Sequence, residues 1–353
     1  MAKKPATDKS EQQLPTMADI AKIVGVSRQL VGLVFRDAPG VGAETAAKIR
    51  AVAKEIGYRP NLAAQSLRRD SSNNIGFMFH AEQSSMQGIL PAMYKYAKAA
   101  GFNLVLSAVS ASHNESDAIE ELLGYRCEGL ILAGSELSLN RLQKLSREIP
   151  MVSLGRRMEQ VRAGMVSSNG EEGIFAATTH LIELGHKDIA YVHGKDMRDS
   201  QFRLEGYQAA MDAYKLTQRV VEIEGDFAEV GGGEAASRLL KQELPTAVVC
   251  NNDQSAFGLT HRLLQAGIKI PAQISVTGYD DTVAQYPFLD LTTARQDPDD
   301  LARFAVQDLV ARIRGEKYLS ETYLTPAKLI VRSSTSKPRS EKSLKIPNAG
   351  TSK

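Results

Sequence analysis

The segment of residues 16–67 limits the possible folds of this chain more than any other, because its residue spacing predicts a compact helical module. Thr16 and Asp19 lie three residues apart, as in a capping box at the start of a helix. Apolar residues follow at the helical spacing i, i+3, i+4, i+7, at Met17, Ile20, Ala21 and Val24. The pattern predicts an amphipathic helix that ends at Gly25.

A second helix is predicted three residues after the first one ends. Ser27 is a residue type that caps helix N-termini, and a second apolar stripe follows at Val31, Val34 and Phe35. Two helices joined by residues 25–27 form a helix-turn-helix. A third helix is predicted over residues 43–56, with one apolar face and with Gly57 as its stop. The three apolar faces can bury one another.

The outward face of the second helix predicts contact with DNA. If Val31 and Val34 face the core, the opposite face carries Arg28, Gln29, Gly32, Leu33 and Arg36. A recognition helix contacts base edges with its first turn, where Arg pairs best with guanine and Gln with adenine. We also count Thr16 and Ser27, at the helix starts, among the DNA-contacting residues. The alternative is that Arg28 and Gln29 are solvated residues at a helix start.

Two stretches at the ends of the module carry a resemblance. They read Pro-Thr-Met-Ala-Asp-Ile-Ala-Lys-Ile-Val-Gly-Val-Ser (15–27) and Ile-Gly-Tyr-Arg-Pro-Asn-Leu-Ala-Ala-Gln-Ser-Leu (56–67). They resemble the lac-repressor (LacI/GalR-type) family of bacterial transcription regulators. The middle differs, because the family usually has Thr-Val-Ser-Arg-Val-Leu-Asn where this chain has Leu-Val-Gly-Leu-Val-Phe-Arg (30–36).

The different middle segment predicts an operator that departs from the family consensus. A family arginine that often reads a base is replaced by Leu33, which can make only apolar contacts, such as with a thymine methyl group. Gly32 costs the helix up to about 1 kcal/mol relative to alanine.

The resemblance also assigns a role to residues 60–70. A helix of two turns is marginally stable in water by itself. The resemblance implies a hinge helix that folds on DNA, pairs with its dimer mate, and inserts Leu67 as a wedge into the minor groove. Ala64 would be the small-residue contact, and Asn61 can cap this helix. The alternative is an ordinary linker with its leucine packed on the body.

The charge distribution agrees with a DNA-binding N-terminus. Residues 1–69 have 12 Lys and Arg against 6 Asp and Glu, and residues 337–353 have 5 against 1. The middle, residues 70–336, has 26 against 34. A basic segment on an acidic body suits phosphate contact at one end. Solvated charge without a partner is the alternative. We predict a disordered arm over 1–15, a DNA-binding domain over 16–59, and a disordered tail over 336–353.

From residue 75 onward, strand-like runs alternate with helical runs. Strands are predicted at 75–79, 103–107, 129–133, 151–154, 189–193, 220–223, 247–251 and 274–278. Helices are predicted among them, for example at 171–184, 203–214, 234–241 and 254–266. This alternation predicts an α/β fold of two doubly wound units with parallel sheets, in which ligands bind beyond the carboxyl ends of the strands.

The resemblance extends over this body to about residue 335. It implies the two-lobed, periplasmic-binding-protein-like fold shared with periplasmic sugar-binding proteins. The chain would cross between the lobes near Ser168, Thr293 and Leu324. The effector-binding and dimerisation domain is then 71–335, with an N-terminal lobe of about 71–168 and 294–323 and a C-terminal lobe of about 169–293 and 324–335.

Polar residues at predicted strand ends are candidates for an effector site. A polyhydroxylated ligand needs a carboxylate that accepts from two adjacent hydroxyls, with a guanidinium and amides that donate. Four residues have this chemistry and match effector-contacting positions of the family: Arg203, Asn252, Asp280 and Gln296. The resemblance adds Phe227 as an aromatic cover, and we place His80 and Met86 in the pocket wall. We expect Asp253 to be a helix cap.

Each of these residues also has an ordinary structural interpretation. Asp280 or its neighbour Asp281 could cap the next turn, Phe227 could belong to the core, and a single His at a strand end is more often structural. The loop of residues 80–86 lacks aromatics that could stack on a purine, which favours a sugar as the effector.

Other classes of protein find little support in the sequence. Residues 231–233 lack the Lys-Ser/Thr of a phosphate loop, and no catalytic serine elbow or metal-ligand spacing occurs. We therefore expect no catalytic residue, metal or cofactor. A sugar- or nucleotide-modifying enzyme, or a solute-binding protein, carrying a DNA-binding module is the alternative. No apolar run approaches a membrane span, so a cytoplasmic location is expected. Cys127 and Cys250 lie beside apolar strands and are expected to be buried thiols.

The sequence thus predicts a sequence-specific transcriptional regulator, a repressor, under allosteric control by a sugar-like effector. One recognition helix reads few base pairs, so a symmetric homodimer on palindromic double-stranded DNA is expected. Either sign of the effector response is compatible with the sequence.

Overall fold

Helix-capping side chains and apolar spacing produce the predicted elements at the N-terminus. The computed structural model describes residues 15–36, 38–59, 71–158, 160–194, 200–223, 229–316 and 322–340. The chain forms two units, Met1–Ser72 and Asn73–Lys353. Several predicted features lie outside the described residues and stay predictions: residues 1–14 of the arm predicted over 1–15, the hinge with Asn61, Ala64 and Leu67, the cover Phe227, and residues 341–353.

The first unit is the predicted three-helix module. It contains α1 (Met17–Val24), α2 (Arg28–Val34) and α3 (Ala43–Glu55). The helix-turn-helix is confirmed: α1 ends at Gly25, whose φ of 77° is left-handed and favours glycine, and α2 starts after Ser27. The three helices bury one core, formed by Ile20, Ala21, Val31, Val34, Ile49 and Ala53.

The second unit has two six-stranded sheets. The strands are β1 (Asn74–His80), β2 (Asn103–Val109), β3 (Gly129–Ala133), β4 (Met151–Leu154), β5 (Gly164–Ser168), β6 (Ile189–Gly194), β7 (Arg219–Ile223), β8 (Ala247–Cys250), β9 (Ser275–Asp280), β10 (Thr292–Gln296), β11 (Thr322–Thr325) and β12 (Ala327–Ile330). The helices are α4 (Met86–Ala99), α5 (Glu115–Gly124), α6 (Leu139–Glu148), α7 (Gly170–Glu183), α8 (Ser200–Ala213), α9 (Glu229–Leu239), α10 (Asp253–Gln265) and α11 (Pro298–Arg314). The predicted α/β class is confirmed.

The strand order explains why ligand-binding loops gather in this unit. The first sheet runs β11-β5-β4-β3-β1-β2 and is parallel throughout. The second runs β12-β10-β9-β8-β6-β7, and β12 alone among its described strands is antiparallel. In each sheet the chain reverses direction of winding once, beside β1 in the first and beside β6 in the second. Loops at the carboxyl ends diverge at such a switch point and leave a crevice.

The chain passes between the two sheets three times. It leaves the first sheet after Ser168 at the end of β5, returns after Gln296 at the end of β10, and crosses again between Thr325 and Ala327. The last two points lie slightly later than the expected crossings near Thr293 and Leu324. Pairing of β10 with β9 and β12 holds residues 294–296 in the second sheet, and pairing of β11 with β5 holds Thr325 in the first.

The C-terminal segment corrects one prediction. Residues 336–340 were expected to belong to a disordered tail, but they pack on the second lobe. Arg339 donates from Nη1 to the carbonyl oxygens of Pro245 and Gln273, at 3.0 and 2.5 Å, and from Nη2 to that of Leu244 at 2.7 Å. These three hydrogen bonds offset the entropy cost of ordering the segment.

Candidate functional site

The outward face of α2 presents the side chains predicted to meet DNA. Arg28 and Gln29 are exposed in its first turn, and Leu33 is half-buried. Gly32 was predicted to lie on this outward face among the DNA-contacting residues, but its surface is not exposed. Gly32 is buried because Arg36 covers it: a Cβ atom on residue 32 would lie 3.3 Å from Arg36 Nη1.

The hydroxyls of Thr16 and Ser27 are used in helix caps. Thr16 Oγ1 accepts the N–H of Asp19 at 3.4 Å, and the Thr16 N–H donates to Asp19 Oδ2 at 2.8 Å. The hydrogen bonds from the Thr16 backbone and side chain lower the pKa of Asp19. Ser27 Oγ accepts the N–H of Leu30 at 3.2 Å. These contacts fix the helix starts, and direct DNA contact by the two residues stays a prediction.

A cleft of about 490 Å³ lies at the carboxyl ends of both sheets in the second unit. Six of the predicted effector-site residues line it together: His80, Met86, Arg203, Asn252, Asp280 and Gln296. The lining also contains polar residues that were not predicted, including Ser84, Ser135, Arg156, Ser168 and Asn251. Residues far apart in the sequence thus meet at one site, because each lies at a strand end, in the loop that follows it, or in the first turns of the next helix.

Asp280 is the centre of the second-lobe wall. Gln296 Nε2 donates to Asp280 Oδ1 at 2.7 Å, and Arg203 Nη2 lies 3.7 Å from the same oxygen. Arg203 also donates from Nη1 to the carbonyl oxygen of Asn251 at 2.7 Å, and its guanidinium lies 3.9 Å from the centroid of the Tyr279 ring. Burial raises the pKa of Asp280 to about 6, although Arg203 opposes the shift. The carboxylate, guanidinium and amide therefore form one connected polar group.

Asp253 lies beneath this wall and was misassigned from the sequence. The helix cap is Asn252, whose Oδ1 accepts the N–H of Ser255 at 2.9 Å. Asp253 is fully buried, and its Oδ2 accepts the N–H of Thr282 at 2.8 Å while Oδ1 accepts the hydroxyl of Thr293 at 2.6 Å. Burial, followed by the nearby Asp280 charge, raises the pKa of Asp253 to about 8.

The two neighbouring carboxylates 280 and 281 have different surroundings. Asp281 is buried and lies 2.6 Å from Arg295 Nε and 2.7 Å from Arg332 Nη2. These two ion pairs anchor the loop after β9. Asp280 adopts a φ of 108°, which L-residues rarely occupy, and Asp281 a φ of 58°. The anchored loop holds Asp280 at the cleft in this strained conformation.

The first-lobe wall contains a histidine that contacts a buried carboxylate. His80 Nε2 lies 3.5 Å from Glu115 Oε1. Ser135 donates its hydroxyl to Glu115 Oε2 and the Glu136 N–H donates to Oε1, both at 2.6 Å. The contact with Glu115 raises the pKa of His80. Burial alone would raise the pKa of Glu115, but hydrogen bonds from His80 and Ser135 lower it.

Two residues that the sequence prediction missed stand out in the cleft. Arg156 is buried and donates from Nη1 to the carbonyl oxygens of Ser135 and Leu137, at 2.5 and 2.8 Å. It follows β4, so its place just after a parallel strand could have indicated it. Ser84 Oγ lies 3.3 Å from Thr282 Oγ1 and connects the first lobe to the second beside the cleft. Nothing in the sequence indicates that Ser84 and Thr282 lie next to each other.

A helix-turn-helix unit and a two-lobed body with a polar cleft define the class of ligand-responsive DNA-binding regulators. Residues 16–61 match the family described as bacterial regulatory proteins, lacI family, and residues 178–335 match the periplasmic binding protein-like domain. The chain is 30% identical to the HTH-type transcriptional repressor PurR of Vibrio atlanticus (strain LGP32) over 328 residues, which is 91% of this chain and 98% of the relative.

Solved structures of transcription regulators are also similar to this chain. The lac repressor dimer bound to operator and the anti-inducer ONPF is 29% identical, with a TM-score of 0.80 over 92% of this chain and 100% of that one. The complex of the transcriptional regulator CelR with cellobiose is 27% identical, with a TM-score of 0.66 over 91% of this chain and 99% of that one. The protein belongs to the LacI family and is a DNA-binding transcriptional repressor.

Four further observations concern other classes of protein and other kinds of site. The relatives named above are transcriptional regulators and not enzymes. Over the described residues, no helix combines the length and apolar character needed to span a membrane, and no three His, Cys, Asp or Glu residues group as metal ligands would. Cys127 and Cys250 are buried and free, as predicted.

Proposed function

We propose that this repressor responds to a polyhydroxylated small molecule, a sugar or sugar derivative, that binds in the cleft. Asp280, Arg203, Asn252 and Gln296 would contact its hydroxyl groups, with His80 and Met86 in the wall and Phe227 as the predicted cover. The observation that carries this proposal is the junction of Asp280 with Gln296 and Arg203 at the cleft surface. A carboxylate flanked by donors matches vicinal hydroxyls, which both donate and accept hydrogen bonds.

The rest of the cleft supports a sugar over a nucleobase. Apart from the predicted cover Phe227, which lies outside the described residues, the described lining contains no Phe, Tyr or Trp side chain to stack on a purine, whereas serines and amides are frequent. The CelR structure was solved with cellobiose, a sugar.

A thermal-shift screen tests this assignment, because a ligand that binds only the folded state raises the melting temperature. The panel contains sugars, sugar phosphates, sugar acids and nucleobases. We expect a hit among the sugar derivatives, and we expect Asp280→Asn to abolish it while effector-free DNA affinity stays unchanged. Asp212→Asn, an exposed carboxylate on α8, is the matched control. Hits confined to nucleobases, or an unchanged response of Asp280→Asn, would refute the proposal.

We also infer that the protein acts as a symmetric homodimer. Phe288 is 71% exposed and Tyr286 47%, and their rings stack with centroids 5.8 Å apart. Phe257 on α10 adds a third ring 6.0 Å from Phe288. Such an exposed aromatic cluster is typical of an interface, and the lac repressor structure named above is a dimer. A second copy of the chain is the occupant we assign to this cluster.

Analytical ultracentrifugation tests the dimer. Phe288→Asp should shift the chain from dimer to monomer, because a charge would be buried in the interface. Tyr214→Asp, which alters another exposed aromatic residue, should leave the dimer intact. A monomeric wild-type chain, or a dimeric Phe288→Asp variant, would overturn the assignment.

The effector would act on DNA through the predicted hinge of residues 60–70, in the cytoplasm. Ligand binding would change the pairing of first lobes across the dimer and hence of hinge helices, a coupling that is typically about 1–3 kcal/mol. Leu67→Ala should weaken operator binding far more than non-specific binding if Leu67 is a minor-groove wedge. Equal losses on both kinds of DNA would contradict the wedge.

A further inference from the structure

Arg28 and Gly32 lie at positions i and i+4 of α2, one turn apart on its outward surface. Arg36 lies two residues beyond Val34, the last residue of the helix. Arg28 and Arg36 are exposed, and Gly32 between them has no side chain. The outward surface of α2 therefore has a gap at Gly32, one turn after Arg28.

The guanidinium of Arg36 fills that gap. A Cβ atom on residue 32 would lie 3.3 Å from Arg36 Nη1, 3.6 Å from Nη2 and 3.7 Å from Cζ. Arg36 follows the helix end, so its side chain turns back towards the N-terminus of α2. The backbone around it is held by two hydrogen bonds, from the N–H groups of Arg36 and Ala38 to the carbonyl oxygen of Leu33, each 3.1 Å long.

Few side chains around Arg36 can donate a hydrogen bond to a base. Within residues 28–36, side-chain hydrogen-bond donors occur at Arg28, Gln29 and Arg36, and nowhere else. Leu33, half-buried on the same side of the helix, can make only apolar contacts. The backward turn of Arg36 moves a planar group with several donors from beyond the helix end to the level of Gly32. That level is on the surface of α2 that is predicted to enter the major groove.

We propose that Arg36, seated over Gly32, reads a guanine in each operator half-site. An arginine guanidinium can donate two hydrogen bonds to O6 and N7 of guanine in the major groove. The inference rests on the DNA-binding function of the module and names a base contact of α2 beyond its first turn. Gly32 makes this contact possible, since a larger side chain at residue 32 would occupy the position of the Arg36 guanidinium.

The competing role for Arg36 is a phosphate contact, which strengthens binding without reading sequence. The two roles differ in a selection from random double-stranded DNA with the full-length chain. If Arg36 reads guanine, Arg36→Ala loses the preference at one symmetric base-pair position, and discrimination there falls about 5- to 150-fold. Arg36→Gln moves the preference at that position towards adenine, because Gln pairs with adenine edges.

Gly32 is tested by a double-mutant cycle at the same base pair. Gly32→Leu should reduce discrimination there in the chain that carries Arg36. In the Arg36→Ala background it should cause no further loss, because the group that it displaces is already absent. Equal losses in both backgrounds would overturn the seating role of Gly32.

The control is Lys48→Ala, which removes an exposed positive charge on α3 and should leave the selected sequence unchanged. A uniform loss of affinity in Arg36→Ala, with every base preference retained, would overturn the inference and assign Arg36 to phosphate. A wild-type chain that enriches no sequence at all would instead overturn sequence-specific DNA recognition itself.

Discussion

Replacing the buried Asp253 with asparagine should change how the stability of the protein depends on pH. Asp253 accepts hydrogen bonds from the Thr282 N–H and the Thr293 hydroxyl. An asparagine retains both partners, since its oxygen can accept from Thr282 and its amide can donate to Thr293 Oγ1 once that hydroxyl turns. Asparagine is neutral, like protonated Asp253, and can keep one acceptor for Thr282 and one donor for Thr293, so the substitution removes the charge while both hydrogen bonds are retained.

The expected magnitude follows from linkage between proton binding and folding. The pKa of Asp253 is about 8 in the folded protein, against an ordinary value of 3.8. Between about pH 4 and 8 the folded state therefore holds a proton that the unfolded state has released, and stability falls as pH rises. The slope is about 1.4 kcal/mol per pH unit for one proton. From pH 5 to 7.5 the wild type should lose about 3 kcal/mol relative to Asp253→Asn.

Urea titrations of both proteins between pH 5 and 8.5 measure this difference in the free energy of unfolding. The difference should level off above pH 8, where the carboxyl is ionised in both states. Asp212→Asn, at an exposed position, should track the wild type. A constant difference between wild type and Asp253→Asn from pH 5 to 8 would refute the reasoning, because Asp253 would then titrate alike in both states.

Three more outcomes are expected. Below about pH 6, where Asp280 becomes protonated, the effector Kd measured by calorimetry should rise about tenfold per pH unit, and a pH-independent Kd would count against Asp280. Gly232→Ala should destabilise the protein by about 1–3 kcal/mol in thermal unfolding, because the new Cβ would lie 1.9 Å from the Ser255 carbonyl oxygen. The control is Gly124→Ala, whose Cβ would have no atom within 4 Å. Equal melting temperatures of the two variants would contradict the close approach of α9 and α10. Arg339→Ala should destabilise the second lobe by about 1–3 kcal/mol, because it removes the donors to three carbonyl oxygens. Lys337→Ala, at an exposed residue, should leave the stability unchanged. Equal losses of stability in the two variants would argue against those hydrogen bonds.

Local patterns were sufficient to predict the elements with strong periodicity. The helices of the first unit follow from apolar spacing and from the caps at Thr16 and Ser27, and the eight predicted strands are runs of apolar residues. Strands β5, β10, β11 and β12 were missed. β10 looks polar in sequence, but its Thr292 and Thr293 are buried because their hydroxyls bond to Arg332 and Asp253. Such partners are set by the tertiary fold.

The candidate site was likewise predictable only in part, because some of its features depend on the tertiary fold. Residue chemistry and the family resemblance predicted Asp280, Arg203 and Gln296, which meet in the cleft. Neither source could decide which residue of the pair Asn252 and Asp253 caps α10, because both types cap well. That choice depends on burial, which the sequence does not display.

The three passages of the chain between the sheets affect how the protein folds during synthesis and which of its parts recombination can exchange. The core of the first lobe includes Leu301, Ala305 and Leu309 of α11, and β11 completes its sheet. A ribosome must therefore release the chain beyond residue 325 before the first lobe can close its core. Neither lobe can be expressed or exchanged by a single cut, whereas residues 16–59 form one uninterrupted piece. Recombination can therefore give this body a new operator far more readily than a new half of its cleft.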